Sequence, residues 1–175
     1  MSEVGPRPVF LVGFMGSGKS ATGRELARIV GFEFVDTDEL VVASEGRPIE
    51  EIFRESGEGA FREAEWRALR SVAGRRGLVV ATGGGAFLGT VQRSFMKSEG
   101  TTVWLDVPYE VARTRVGPGA GRPLWNPEQD EIAFRALFER RRAAYALAHV
   151  RVDAAAGGPA ELARQIADRI FPRRH

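Results

Sequence analysis

Residues Gly13-Phe14-Met15-Gly16-Ser17-Gly18-Lys19-Ser20 fit the pattern G-x-x-x-x-G-K-[ST]. Each part of that pattern has a task in holding a nucleoside triphosphate. Glycines let consecutive backbone N–H groups turn inward toward phosphate oxygens. A helix starting near Lys19 adds its positive dipole end. Lys19 is placed to reach the β- and γ-phosphates, and the Ser20 hydroxyl to coordinate Mg²⁺. The expected ATP contacts here are Gly16, Ser17, Gly18, Lys19, Ser20 and Ala21. The competing reading is a glycine-rich turn that merely joins a strand to a helix.

A second group of chemical side chains is Asp36-Thr37-Asp38, at the end of an apolar run. In an extended segment, side chains two apart share a face, so both carboxylates can point into one crevice. Asp36 is then placed to hold Mg²⁺ through water. Asp38 is placed to accept a hydrogen bond from an alcohol about to be phosphorylated and to take its proton late. Asp38 also suits the N-cap of a helix over 39–44, and the two roles are compatible.

The third group is dispersed. Gly83-Gly84-Gly85 follows another apolar run and lets backbone N–H groups approach a ligand closely. Arg62 and Arg141 lie on two helical stretches, and either alone reads as a solvated helix arginine. Guanidinium groups converging with free N–H groups would suit a small carboxylate. Arg122 sits in Gly119-Ala120-Gly121-Arg122-Pro123-Leu124-Trp125, a loop built like a closing lid with an arginine finger in cis. A disordered surface loop is the other reading of that stretch.

The elements that must position these groups alternate along the chain. Short apolar strands are expected at 8–12, 32–35, 78–81, 101–105 and 150–152. Helices are expected at 19–30, 38–44, 48–56, 60–74, 90–98, 108–116, 127–148 and 159–171, with a Gly/Pro-rich loop at 117–126. Strand–helix alternation argues an α/β fold whose parallel sheet is covered on both faces. Ligands bind such sheets beyond the carboxyl ends of the strands, where the motifs after Val12, Val35 and Ala81 all fall.

Composition fits a single soluble domain over 1–175, with 43% hydrophobic and 27% charged residues. There is no cysteine, which excludes a disulfide scaffold and a cysteine-ligated zinc site. The N-terminal stretch lacks a basic region followed by a long apolar segment, and no apolar run approaches membrane-spanning length. No membrane association and a cytoplasmic location are therefore the expectation. Of 25 basic side chains only Lys19 and Lys97 are lysines. The net charge is +2 with both signs spread along the chain, so Arg140-Arg141-Arg142 is not read as a nucleic-acid surface.

Taken together, these residues resemble the shikimate kinases. The resemblance rests on GFMGSGKS, Asp36-Thr37-Asp38, Phe61-Arg62-x-x-Glu65, Gly83-Gly84-Gly85, Arg122-Pro123-Leu124, and Arg141 with Tyr145. It implies a three-layer P-loop kinase fold with a five-stranded parallel sheet in order 2-3-1-4-5 and a lid loop at about 117–126. It implies ATP- and Mg²⁺-dependent phosphorylation of the 3-hydroxyl of shikimate, a step towards chorismate and the aromatic amino acids. By motif position, Asp38 would bind the shikimate hydroxyls and act as base. Arg62, Arg141 and the backbone of Gly83, Gly84 and Gly85 would hold its carboxylate. Lys19 and Arg122 would stabilise the transferring phosphoryl, and Ser20 and Asp36 would hold the metal. Glu65 would orient Arg62, and Phe53 and Phe61 would wall the pocket. Arg115 and Pro159 match positions that flank adenine. The segment at about 38–67 would be the mobile substrate-binding part, and a monomer is the expected state.

Three departures stand out: Trp125 after Arg-Pro-Leu, Ala21 where Thr is common, and no basic or amide side chain in 154–158. The readings kept beside this one are a related kinase with a gluconate-type acceptor and a non-catalytic ATP-binding protein on the same fold.

Overall fold

A computed structural model describes residues 5–116 and 131–172. The chain runs β1 (Val9–Val12), α1 (Lys19–Val30), β2 (Glu33–Asp36), α2 (Thr37–Glu45), α3 (Ile49–Arg70), β3 (Leu78–Ala81), α4 (Thr90–Glu99), β4 (Thr101–Asp106), α5 (Tyr109–Arg115), α6 (Glu131–Tyr145), β5 (Val150–Asp153) and α7 (Pro159–Ile170). The five strands form one parallel sheet in the order β2-β3-β1-β4-β5. The expected order is therefore the observed one. The three central strands are buried along nearly their whole length, as a sheet covered on both faces requires.

Register explains why the motifs meet. Asp36 lies opposite Ala81, and Ala81 opposite Leu11. The chain therefore leaves β2, β3 and β1 at one edge, into Thr37, Thr82 and Gly13 respectively. A main core under this edge joins Phe10, Leu11, Phe87 and Met96 to Phe134, Phe138 and Tyr145 of α6. A smaller cluster of Val41, Ile52, Phe61, Ala64 and Ala68 binds α2 to α3.

Local expectations hold in part. The helices expected at 48–56 and 60–74 are present as the two arms of α3, divided at Gly57 (φ 82°, ψ 174°), the second ending at Arg70 and not at 74. The backbone at Gly57 is one that side-chain-bearing residues rarely adopt, so the kink is written into the glycine. The helix cap is Asp36, whose side chain accepts the Asp38 N–H at 2.9 Å, and not Asp38. Thr37 consequently belongs to α2, so Asp36 and Asp38 do not share a face of an extended segment. Of the helix expected over 127–148, the described part ends at Tyr145. The lid expected at 117–126, with Arg122 and Trp125, lies outside the described residues.

At the opposite edge of the sheet, His149 pins the start of β5 to β4. Its Nδ1 accepts the Thr102 N–H at 3.1 Å, and the His149 N–H donates to Thr102 Oγ1 at 2.9 Å. Burial, then the nearby charges of Lys97 and Arg7, lower its pKa from the ordinary 6.5. The fold thus binds fewer protons at this site than the unfolded chain. This contribution is complete above about 6.5 and is lost as pH falls below it. Thermal melts at about pH 7.5 and pH 5.5 should show a drop in melting temperature that is smaller in His149→Asn. An equal drop in both proteins would remove His149 as its source.

Candidate active site

The loop between β1 and α1 wraps around Lys19. Lys19 is buried, and its Nζ donates to the carbonyls of Gly13 at 2.8 Å and Phe14 at 3.0 Å. Gly18, the residue before α1, has φ 85° and ψ 23°. This left-handed turn presents the helix N-terminus to the sheet edge, as an anion cradle requires. The Ser17 side chain is buried inside the loop, 3.4 Å from Lys19 Nζ. Ser20 Oγ donates to Asp36 Oδ2 at 2.6 Å. Gly16, Gly18, Lys19, Ser20 and Ala21 line a cavity of about 210 Å³. Its far wall is Asp36, Asp38, Thr82, Gly83 and Gly84. Both aspartates therefore reach the phosphate side, although by a strand end and a helix start.

A second cavity of about 510 Å³ opens on the other side of the glycine turn. Arg62, Glu65, Gly85 and Arg141 line it, with Glu58, Trp66, Gln92, Leu137 and Arg140 farther out. Gly83 and Gly84 face the phosphate cavity and Gly85 this one, so the glycine turn is the shared wall. Packing there is tight: a Cβ on Gly84 would stand 3.2 Å from Arg141 Nη1, and one on Gly85 2.5 Å from Arg62 Nη1. No hydrogen bond among the described residues uses the N–H groups of Gly84 and Gly85.

Charge in this second cavity is unusual for its burial. Arg141 belongs to the buried stripe of α6, with Phe134, Phe138 and Tyr145. Its guanidinium lies 5.7 Å from the centre of the Phe14 ring, and its Nε has no hydrogen-bond partner. Burial lowers its pKa, Tyr145 raises it, and the like charge of Arg62 lowers it again. Glu65 is buried too. Burial pushes its pKa up against the pull of Arg62, which donates to Glu65 Oε2 at 2.9 Å. Glu65 Oε1 has no hydrogen-bond partner. Buried charges are costly unless paired. Arg62 is paired with Glu65 and Glu58, whereas Arg141 makes no salt bridge among the described residues, so the cavity offers a buried cation to an incoming anion.

Other expected site residues fall at varied distances from the cavities. Phe53 and Phe61 stack on each other at 4.7 Å, and Phe61 lies 5.2 Å under the Arg62 guanidinium. Phe61 thus supports the Arg62 guanidinium, and neither ring is among the residues lining these two cavities. Arg115 ends α5 beside the loop and donates to the Gly16 carbonyl at 3.1 Å. Pro159 opens α7 on the exposed surface and lines neither cavity. Arg122 lies outside the described residues. Two contributors went unnoticed in the sequence. Thr37 Oγ1 accepts the Gly83 N–H at 3.2 Å and so anchors the glycine turn. Glu58 pairs with Arg62 one helical turn away at 3.3 Å, a spacing of i, i+4 that was there to be read.

A phosphate loop at the end of the central strand, two aspartates across from it and an anion receptor beside it define a P-loop kinase of a small acidic molecule. A family model described as "Shikimate kinase" matches residues 15–171. The chain belongs to the shikimate kinase family. The shikimate kinase of Persephonella marina is 42% identical over 164 residues, covering 94% of this chain and 99% of that one. That of Geobacter sulfurreducens is 41% identical over 169 residues, covering 97% and 92%. Among solved structures, shikimate kinase from Acinetobacter baumannii in complex with shikimate superposes with a TM-score of 0.89 at 36% identity, covering 95% and 93%. A gluconokinase from Sinorhizobium meliloti shares the fold, with a TM-score of 0.57 at 20% identity, covering 97% and 98%.

Proposed function

We propose that this chain transfers the γ-phosphoryl group of ATP to the 3-hydroxyl of shikimate, giving shikimate 3-phosphate and ADP. The observation that carries the reading is the second cavity. A carboxylate placed between Arg62 and Arg141 gives buried Arg141 a counter-charge and meets the unused N–H groups of Gly84 and Gly85. The ring of the acid then reaches past the glycine turn to Asp38, which faces Lys19 across the phosphate cavity.

Asp38 holds the attacking hydroxyl and takes its proton as the new bond forms. Phosphoryl transfer is loose, so placing the acceptor in line matters more than proton removal itself. Lys19 exchanges loop carbonyls for β- and γ-phosphate oxygens. Arg122, from the lid at 117–126, is the second cation in this reading, and Arg115 and Pro159 flank the adenine.

Ser20 and Asp36 fit a Mg²⁺ ion: both are hard oxygen donors, already 2.6 Å apart beside the phosphate loop. Among the described residues no group of three or more acidic or histidine side chains surrounds a metal position. The remaining oxygens would come from phosphates and water, as is usual for Mg²⁺. When bound, the ion neutralises charge on the phosphates.

The mobile substrate segment is 38–67 and the whole chain is one domain. Both cavities are built from one chain, so a monomer suffices. The reading assigns the cytoplasm, where ATP is supplied. Among the described residues no helix is long and apolar enough to cross a membrane.

ADP release with MgATP, measured with shikimate, gluconate or quinate, tests the reading. Release stimulated by shikimate alone is the expected result. Stimulation by gluconate instead would overturn the acceptor, and ATP binding without stimulated release would overturn the kinase. Gly85→Ala probes the receptor itself. Its Cβ would meet the end of the Arg62 side chain, which can swing away, so the fold should survive. The KM for shikimate should rise about ten- to hundred-fold with the melting temperature nearly unchanged. An unchanged KM would take the Arg62–Gly85 approach out of the binding site.

A further inference from the structure

We infer that the Tyr145 hydroxyl is the group that aims the Gly85 N–H at the acceptor's carboxylate, making Tyr145 a positioning residue for acid binding. This rests on the reading of the second cavity as the shikimate site.

Tyr145 is buried, and its hydroxyl donates to the Gly84 carbonyl. The Gly84–Gly85 peptide is trans, since the described chain has no cis bond. In a trans peptide the C=O and N–H point in opposite directions. Holding the Gly84 oxygen toward Tyr145 therefore turns the Gly85 N–H away from it, on the side where Gly85 lines the cavity. Glycine allows this plane many orientations, and a run of three has little of its own to choose among them. The Gly83 end is fixed by Thr37 Oγ1, and the Ala86 N–H returns to the Gly83 carbonyl at 3.1 Å. The middle plane is fixed by Tyr145.

Arg141 sits one turn earlier on α6, where Tyr145 raises its pKa against the lowering by burial. One helix thus carries both the arginine and the group that aims the glycine N–H, two donors to one carboxylate. The helix carrying both is itself held against rotation. Arg142 donates to buried Asp106 at 3.2 Å from the neighbouring position of α6. Arg151 of β5 holds the same carboxylate at 2.9 Å, and Trp104 packs 6.3 Å from the Tyr145 ring. Phenylalanine at 145 would keep this packing and lose only the hydroxyl.

The test is Tyr145→Phe, assayed with shikimate and with its methyl ester, which carries no charge. For shikimate, KM should rise about ten-fold, the loss of one hydrogen bond in a charged site. The kcat, the KM for ATP and the melting temperature should change little, and the ester should lose less than the acid. Equal KM values for shikimate in variant and wild type would overturn the inference, as would equal losses for acid and ester. A wild-type protein that does not phosphorylate shikimate would overturn the underlying reading, before any variant is compared.

If the variant does not fold, the unsubstituted chain can carry fluorinated tyrosine, which replaces only Tyr109 and Tyr145. Its phenol ionises at lower pH and then cannot donate. The KM for shikimate should rise through that ionisation, with no such rise in the unfluorinated chain. A flat profile would again overturn the inference.

Discussion

Asp38→Asn lowers kcat by roughly 10²–10⁴ while ATP binds as before. The substitution removes one capacity and little else. The Asp38 backbone N–H is held by Asp36 Oδ1 at 2.9 Å, independently of the side chain that changes. The α2 cap therefore persists, and asparagine fills the same volume between the phosphate cavity and the glycine turn. Asparagine can still bond a hydroxyl, so the KM for shikimate should move by less than kcat. It cannot accept the proton. Steady-state kinetics together with calorimetric titration by a non-hydrolysable ATP analogue separate these effects. A kcat within ten-fold of wild type would remove Asp38 as base.

Lys19→Met lowers kcat/KM for ATP by roughly 10²–10³, the usual cost of deleting one preorganised donor to developing charge. Methionine keeps much of the apolar stem but loses the ammonium. In the structure that ammonium spans the Gly13 and Phe14 carbonyls, which draws the loop closed around it. The loss should therefore reach ATP binding as well as transfer, unlike the loss at Asp38. Shikimate binding, on the far side of the glycine turn, should be nearly untouched. The pair of variants thus separates donor from acceptor: one weakens ATP, the other does not. A Lys19→Met protein with wild-type kcat/KM for ATP would contradict the assignment of the loop.

What was readable in the sequence follows the range of the forces involved. The phosphate loop was legible because its glycines, lysine and serine are contiguous, and the strand–helix alternation around it fixes the sheet edge on which it lies. The sheet order entered through the family resemblance, since alternation alone leaves the order open. Arg62 and Arg141 illustrate the middle case. Each looks like an ordinary helix arginine. Only the packing of α6 against Phe14 shows that Arg141 is buried, and only the glycine turn shows that the two converge.

The misjudged details are of one kind. Asp36 and Asp38 were both recognised, but which one caps α2 depends on where β2 ends, a matter of one residue. The break at Gly57 divides the two helical arms that were expected, and only the end of the second, at Arg70, was misplaced. Thr37 and Tyr145 act through backbone groups of a distant turn, and nothing in their local sequence announces such partners.

The central claim is that this site phosphorylates the 3-hydroxyl of shikimate. The most direct measurement is phosphorus and proton NMR of the products after incubation with MgATP and shikimate. The account predicts one phosphomonoester, coupled to the proton on carbon 3, formed in equal amount with ADP. A phosphate on another hydroxyl, or ADP formed with shikimate unchanged, would contradict it.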